Sequence, residues 1–462
     1  MKIINTLLLT IVTGSIMAQV PQVINDKLNK TYDSICTKLN IKGSSAAILI
    51  PNVGIWKRNF GISHTGKSTD TEMLFTLGSN TKTYTATVIL KLHQLGMLNI
   101  NDTIGKWFNN VSNVNGTAKI QQLLNHTSGI ASYTNNNTFW STVNNDLAKP
   151  WTPEEILPYI PAASFAPGAS WEYSNSNYLL AGIIIKQVTG KSLSEAYRTY
   201  IFNPLSLGKT FLPAEETTNM DVAHHWSTSI GNPYLTDWEG LGLSYVAMDK
   251  VSWAAGGLYA TAEDNVKFFN ALFNTKTIIA DSMITKMKVT RNIGNGAAYG
   301  LGIFTYAGFN GRTVYSHGGS NLGGVNENLY DPVNSVSMSI LTNQDSIDND
   351  MVLIPLLYNL HKDLIALKVG VNNIENNISQ NIKIYPNPSN GNVAIDIDQG
   401  LEDDITISIV DMSGKQIMDL GSFQKQNARH LKVDVSNLQK GIYLITGKST
   451  NHTFTKKLML VD

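Results

Sequence analysis

The chain has 462 residues, 42% of them hydrophobic, and its 35 Lys and Arg are cancelled by 35 Asp and Glu. That balance excludes a nucleic-acid binder relying on bulk basicity, because phosphate neutralisation leaves a cationic excess, and the apolar content excludes a disordered chain. At ~150 residues per domain, the length suits one large domain and one small one.

In chain order, Met1-Lys2, the apolar run Ile3 to Met17 and Ala18-Gln19 predict a secretory signal peptide over residues 1–18. The run is too short to span a bilayer, and the third residue before the cut is Ile16, bulkier than cleavage sites prefer. No transmembrane helix is expected in the mature chain. Cys36 is the single cysteine, which excludes intramolecular disulfides and cysteine-based metal sites; nothing around it marks it as reactive.

Ser45 to Ile50 and Gly54 to Ile62 read as two strands across a Pro-Asn-Val-Gly turn, and Thr83 to Leu98 as a helix ending at Gly96. Later, Tyr299 to Phe304, Thr313 to His317, Gly324 to Tyr330 and Val336 to Thr342 predict successive antiparallel strands, since no helix-length crossover separates them. Met351 to Leu367 predicts a closing helix. Helices and strands arranged in blocks predict an α+β domain over 22–367. Residues 368–381 are Asn-rich and read as a linker. Residues 382–462 hold short strands (Val393 to Ile397, Ile405 to Val410, Leu431 to Val435, Ile442 to Gly447, Phe454 to Leu460) and predict a small β-sandwich.

Three motifs carry candidate chemistry. Ser79-Asn-Thr-Lys82 opens the first apolar helix, and a spacing of three puts both side chains on one helix face, where an amine can reach a hydroxyl. The same spacing at Ser206/Lys209 and Ser422/Lys425 lacks that helical setting. Tyr173-Ser-Asn175 supplies a phenol, which neighbouring cations can turn into a base, and an amide that can orient Lys82 or a substrate carbonyl. The rival Tyr133-Thr-Asn135 lies in an Asn-rich loop with no helix expected after it. His317-Gly-Gly319-Ser320 ends a strand; its glycines allow close approach, and a backbone N–H there can face an oxyanion opposite the N–H of Ser79. His64-Thr-Gly66 repeats that pattern early in the chain. His224-His225 are adjacent and do not aim two rings at one metal, no HExxH set occurs, and no Gly-x-Ser-x-Gly elbow is present. No cofactor and no metal are expected.

The ordered combination resembles the serine β-lactamase-related family of class C β-lactamases, D,D-peptidases, D-aminopeptidases and esterases. Leu123-Leu-Asn-His-Thr-Ser-Gly129, Asn203-Pro-Leu-Ser-Leu-Gly208 and Ala254 to Asp264 look like its framework segments, and His126 falls in a framework loop. The resemblance implies an antiparallel sheet flanked by helices plus a helical subdomain. It also implies an acyl-enzyme on Ser79, proton transfer by Lys82 and Tyr173, Asn175 holding the lysine and substrate, and an oxyanion hole from the amides of Ser79 and Ser320. His317 stands where dedicated β-lactamases carry lysine in Lys-Thr-Gly. A mostly neutral imidazole attracts a substrate carboxylate less, which ranks esterase or peptidase activity above β-lactamase activity.

In the tail, Ile382 to Gly391, Val410-Asp-Met-Ser-Gly-Lys415, Leu438-Gln-Lys-Gly-Ile-Tyr443 and Lys456-Lys457 resemble the C-terminal sorting domain of the type IX secretion system of Bacteroidetes. The resemblance implies that secretion machinery as a partner, export through the periplasm and across the outer membrane, usually with removal of the tail, and a protein that is then secreted or attached to the cell surface. The competing expectations are a catalytically inactive binding protein of the same fold, and a tail that binds ligand.

Overall fold

A computed structural model describes residues 20–228, 234–345, 353–367, 382–397, 404–411, 415–423, 429–448 and 453–461. The expected signal peptide, the linker and Met351 lie outside these residues. Contacts divide the chain into two compact units, 1–370 and 371–462.

The first unit is built on an antiparallel sheet. From one edge its strands run Lys67–Ser68, Gly54–His64, Gly43–Ile50, Val336–Thr342, Gly324–Asp331, Arg312–Ser316, Phe304–Phe309, Ala297–Tyr299 and Arg291–Gly294, and Gly319–Asn321 also pairs with Gly324–Asp331. The first hairpin pairs Ile48 with Trp56 and Ala46 with Arg58. Gly43 is required there because a Cβ would stand 2.2 Å from the Ile62 carbonyl oxygen.

Helix Gln22–Lys38 buries Ile24, Leu28, Tyr32 and Cys36, every fourth residue, which is one helical stripe. Helix Leu353–Ala366 buries Leu353, Leu356, Leu357, Leu360 and Leu364. Both stripes pack with Ile48, Val325, Leu329 and Met338 on one sheet face. Each such side chain contributes about 1.5–3 kcal/mol on burial. Burial of Cys36 also pushes its thiol up to about 12, as befits an inert core residue.

The opposite face carries helix Ala262–Phe273, capped by Thr261 Oγ1 accepting from the Asp264 N–H at 3.2 Å, together with the helical part of the unit. There helix Thr81–Gln94 is surrounded by Asn175–Thr189, Val246–Gly256 and Leu193–Tyr197.

Strands Gly324–Asp331 and Val336–Thr342 agree closely with expectation, but two readings are corrected. Tyr299 to Phe304 is not a strand; it is the turn between Ala297–Tyr299 and Phe304–Phe309, closed by the Gly300 N–H donating to the Ile303 carbonyl at 2.8 Å. Gly302 takes φ +76° there, which a continuous strand cannot accommodate. A helix, Asn137–Asn145, does follow Tyr133, because Asn136 Oδ1 accepts from the Thr138 and Phe139 N–H groups at 2.9 and 3.2 Å.

The second unit has two antiparallel sheets around one core. Ile382–Tyr385, Asn392–Ile397 and Arg429–Asp434 form the first; Gln416–Phe423, Ile405–Val410, Gly441–Lys448 and Thr453–Leu460 form the second. Val393, Ile395, Ile407, Ile409, Ile445 and Leu458 fill the space between them. Ile382–Tyr385 and Gln416–Phe423 are strands beyond the five expected. Among the described residues of the chain, no helix is long and apolar enough to cross a membrane.

Candidate active site

Ser79 sits in the 3-10 turn Gly78–Asn80 that leads directly into helix Thr81–Gln94, with Lys82 in the first turn of that helix. The spacing works as chemistry requires: Lys82 Nζ donates to Ser79 Oγ at 3.0 Å. A second bond, from Lys82 Nζ to the Ala255 carbonyl at 2.7 Å, fixes the amine from behind. The side chain of Lys82 is otherwise enclosed, 4.8 Å from the Tyr173 ring centroid and 5.6 Å from that of Tyr178.

The Ala255 carbonyl is delivered by a break in helix Val246–Gly256. Trp253 has φ +29° and ψ −119°, a region that costs a bulky residue on the order of 1–3 kcal/mol. Its indole Nε1 donates to Glu215 at 2.7 Å, and Gly182 leaves room for the ring, since a Cβ on Gly182 would stand 2.6 Å from it. After the break, the Ala254 carbonyl accepts from Thr85 Oγ1 and that of Ala255 from Lys82, so two consecutive carbonyls grip the same helix.

Tyr173 is held by a framework loop. The Glu172 N–H donates to the His126 carbonyl at 3.1 Å, and the Ser174 N–H donates to His126 Nδ1 at 3.1 Å. The His126 and Tyr173 ring centroids lie 4.3 Å apart. Asn177 Nδ2 also bonds His126 Nδ1 at 3.2 Å, while the Asn175 N–H donates to Ser132 Oγ at 3.0 Å and Asn175 Nδ2 to Thr134 Oγ1 at 3.1 Å. The Nδ2 end of the Asn175 amide thus rests on Thr134 of the cleft wall, and Oδ1 is the end of the amide with which a lysine amine can bond. The rival phenol, Tyr133, donates to the Val251 carbonyl at 2.6 Å, and burial pushes it far above the usual tyrosine range.

Across from Ser79, strand Gly319–Asn321 approaches the nucleophile turn very closely. A Cβ on Gly319 would lie 2.0 Å from the Leu77 carbonyl oxygen and 2.9 Å from the Ser79 nitrogen; one on Gly78, which has φ +44°, would lie 2.8 Å from the Ser320 nitrogen. Both glycines are thus required for the two amides to converge. The register aims one of them: Ser320 pairs opposite Val325, whose carbonyl accepts from Thr342 Oγ1 at 2.8 Å on the other side of its strand. Alternation then directs the Ser320 N–H away from Val325 and toward the serine.

His317 is not on the cleft wall. It is 1% exposed, its Nδ1–H donates to the Gly318 carbonyl at 2.6 Å, and Nε2 accepts from the Tyr299 hydroxyl at 3.0 Å. Burial, and secondarily the charge of Lys82, depress its pKa to about 3, so the ring is neutral at physiological pH.

Ser79, Asn175 and Ser320 open onto a cleft of about 560 Å³, whose walls include Trp140, Trp238, Met248, Leu322, Asn321 and Asp345. Trp140 and Trp238 come from the loops Tyr133 to Trp140 and His224 to Tyr245, on which specificity is expected to depend, whereas Met248, Leu322 and the Ala255 carbonyl carry no local sequence signal beyond the Gly256-Gly257 pair after Ala255. At the edge of this region, His224, Asp237 and Glu239 offer ligand-type atoms within 4.8 Å of one another. These atoms are already paired: His224 Nδ1 bonds Asp237 at 2.9 Å, and His225 Nδ1 bonds Glu239 at 2.5 Å.

The family described as Beta-lactamase matches residues 28–359, and the one described as Secretion system C-terminal sorting domain matches 383–461. Penicillin-binding protein 4* of Bacillus subtilis is 27% identical over 260 residues, 54% of this chain and 56% of that protein. Protein flp of Staphylococcus aureus is 35% identical over 143 residues, 29% of this chain and 27% of that protein. The chain thus spans about half or less of the length of these curated relatives. Among solved structures, a D-stereospecific amidohydrolase from Streptomyces sp. superposes with TM-score 0.62 at 27% identity, covering 71% of this chain and 97% of that one. A D-amino acid amidase from Ochrobactrum anthropi SV3 gives TM-score 0.66 at 22% identity, covering 75% and 99%, a likeness of fold.

Proposed function

We propose, because this chain belongs to the Beta-lactamase family of serine hydrolases and carries a secretion-system sorting domain, that it is an exported hydrolase acting through an acyl-enzyme on Ser79. The observation that carries the reading is the 3.0 Å contact from Lys82 Nζ to Ser79 Oγ, beside the converging amides of Ser79 and Ser320. Ser79 Oγ attacks the carbonyl carbon of an ester or amide, and its proton passes to the Lys82–Tyr173 pair as the C–O bond forms. The oxyanion is met by the two amides, each worth on the order of 3 kcal/mol. Collapse expels the alcohol or amine, which takes the proton from that pair; water then attacks the ester carbon, the bond to Ser79 Oγ breaks, the acid leaves with the water oxygen, and a water proton restores the Ser79 hydroxyl.

Amides and esters of D-amino acids are the first substrates to try, given the D-stereospecific amidohydrolase among the structural neighbours. β-Lactamase activity ranks lower, since a neutral, enclosed His317 offers no charge for a substrate carboxylate. An inactive binding protein has no need of a lysine locked onto a serine from two sides.

Fluorophosphonate treatment followed by peptide mass spectrometry tests the reading. The adduct is expected on Ser79 and is expected to vanish in Ser79→Ala; no adduct, together with no turnover of esters, D-amino acid amides or β-lactams, overturns it. The tail is proposed to direct type IX export and then be removed. A mature extracellular protein that keeps residues 382–462 counts against removal.

A further inference from the structure

We infer that the cleft selects substrates bearing a free ammonium group, held by Asp345, over substrates bearing a carboxylate. The inference rests on the acyl-enzyme reading of Ser79 and adds the charge of the substrate to it.

The charge around the cleft is one-sided. Among the described residues that line it, Asp345 is the one carboxylate, and no Lys, Arg or His lines it. Lys82 is enclosed behind Ser79 and bound to the Ala255 carbonyl; His317 is enclosed and neutral. A carboxylate entering this space meets one like charge and no partner, whereas an ammonium meets one opposite charge in a space walled by Trp140, Trp238 and Met248, where water screens less.

Asp345 is also fixed in place. Its Oδ2 accepts from the Gly323 N–H at 2.9 Å, Oδ1 accepts from the Thr228 N–H at 3.4 Å, and its own N–H donates to the Trp226 carbonyl at 3.2 Å. An ionised carboxylate has about four acceptor positions, so two backbone donors leave capacity for a substrate ammonium. Gly323 follows Ser320 by three residues and so lies within roughly 11 Å of it along the chain; the Asp345 carboxylate, 2.9 Å from the Gly323 nitrogen, is tied to that turn after the oxyanion strand. That span suits a compact amino-acid amide, ester or short peptide with an unblocked amine and an apolar side chain filling the aromatic wall.

The test compares kcat/KM for D-phenylalanine anilide, its N-acetyl form and its N-succinyl form, with a matched series carrying the amine on the leaving group to locate it. Wild-type enzyme is expected to prefer the free amine over the N-acetyl form by at least tenfold and to handle the N-succinyl form worst, with the preference shrinking at high salt. Asp345→Asn is expected to reduce the amine-to-acetyl ratio toward one, and Asp345→Glu to retain most of it. Equal rates for free-amine and N-acetyl substrates in the wild type, or an unchanged ratio in Asp345→Asn, overturn the inference. A neutral fluorophosphonate reports separately on Ser79: labelling without ammonium preference sinks this inference alone, while absent labelling sinks the reading beneath it.

Discussion

His126 holds Tyr173 from both flanks, its carbonyl accepting from the Glu172 N–H and its Nδ1 from the Ser174 N–H, each at 3.1 Å. The ring that does this is neutral, because burial, then Lys82 and His317, depress its pKa well below the histidine range. An acceptor at the Nδ1 position is therefore what the loop needs. His126→Ala is expected to lower kcat by roughly 10²-fold, the size of effect that a displaced catalytic group produces. His126→Asn, which can present an acceptor near the same place, is expected to recover part of that loss. Steady-state kinetics with melting curves separates the two effects; equal kcat for both variants and wild type would remove the positioning role.

Gly78 and Gly319 set the spacing between the nucleophile turn and the oxyanion strand. Gly319→Ala forces a methyl against the Leu77 carbonyl and is expected to cost about 1–3 kcal/mol of stability. Displacing the Ser320 amide is expected to slow acylation by ~10²–10³, the usual price of one lost oxyanion donor. Fluorophosphonate labelling rates and denaturant unfolding measure both; a folded Gly319→Ala that labels at the wild-type rate contradicts the arrangement.

His317→Lys restores the residue that dedicated β-lactamases carry, yet no gain in β-lactam turnover is expected. The position is enclosed between Tyr299 and the Gly318 carbonyl, near the charge of Lys82, so a new ammonium is buried unpaired. The variant is expected to lose several kcal/mol, on the order of 3–5, as for an uncompensated buried charge. Nitrocefin hydrolysis rising while the melting temperature holds would refute this.

Acid sensitivity follows from the same ring. The folded pKa of His317, about 3, lies below its ordinary 6.5. The unfolded chain therefore binds the proton first, and the contribution to stability is complete above 6.5 and lost as pH falls toward 3. His317→Asn is expected to flatten the fall in melting temperature across that window.

Asp249 has the opposite sign. Burial pushes its carboxyl up to about 7, against the opposing pull of His225 and Tyr259, and its Oδ1 is enclosed without a hydrogen bond among the described residues. The folded state holds the proton more tightly, so this contribution is present below the ordinary 3.8 and lost as pH rises through about 7. Asp249→Asn is expected to gain melting temperature over wild type at about pH 8 and little at about pH 5. An equal effect at both pH values would show that the carboxyl is not protonated in the folded protein.

Much of this was written locally in the chain. The pairing of Ser79 with Lys82, the strands Gly324–Asp331 and Val336–Thr342, and the stripe of helix Leu353–Ala366 follow from spacing along one element, where period alone puts side chains on one face. Tyr299 to Phe304 misled because a run of apolar residues reads alike whether it extends or turns, and only the positive φ at Gly302 shows the turn. The helix after Tyr133 depended on one capping side chain, Asn136, hidden in an Asn-rich loop.

What only the tertiary structure decided is where distant groups meet. The Ala255 carbonyl on Lys82, the approach of Gly78 to Ser320, the enclosure of His317 and the placing of Asp345 on the cleft each join residues far apart in sequence. Local pattern fixes which face of an element a residue occupies. Which carbonyl, amide or carboxylate stands opposite depends on packing the whole unit, because close contact and burial, and with them charge state, are properties of the assembled core and not of any one segment.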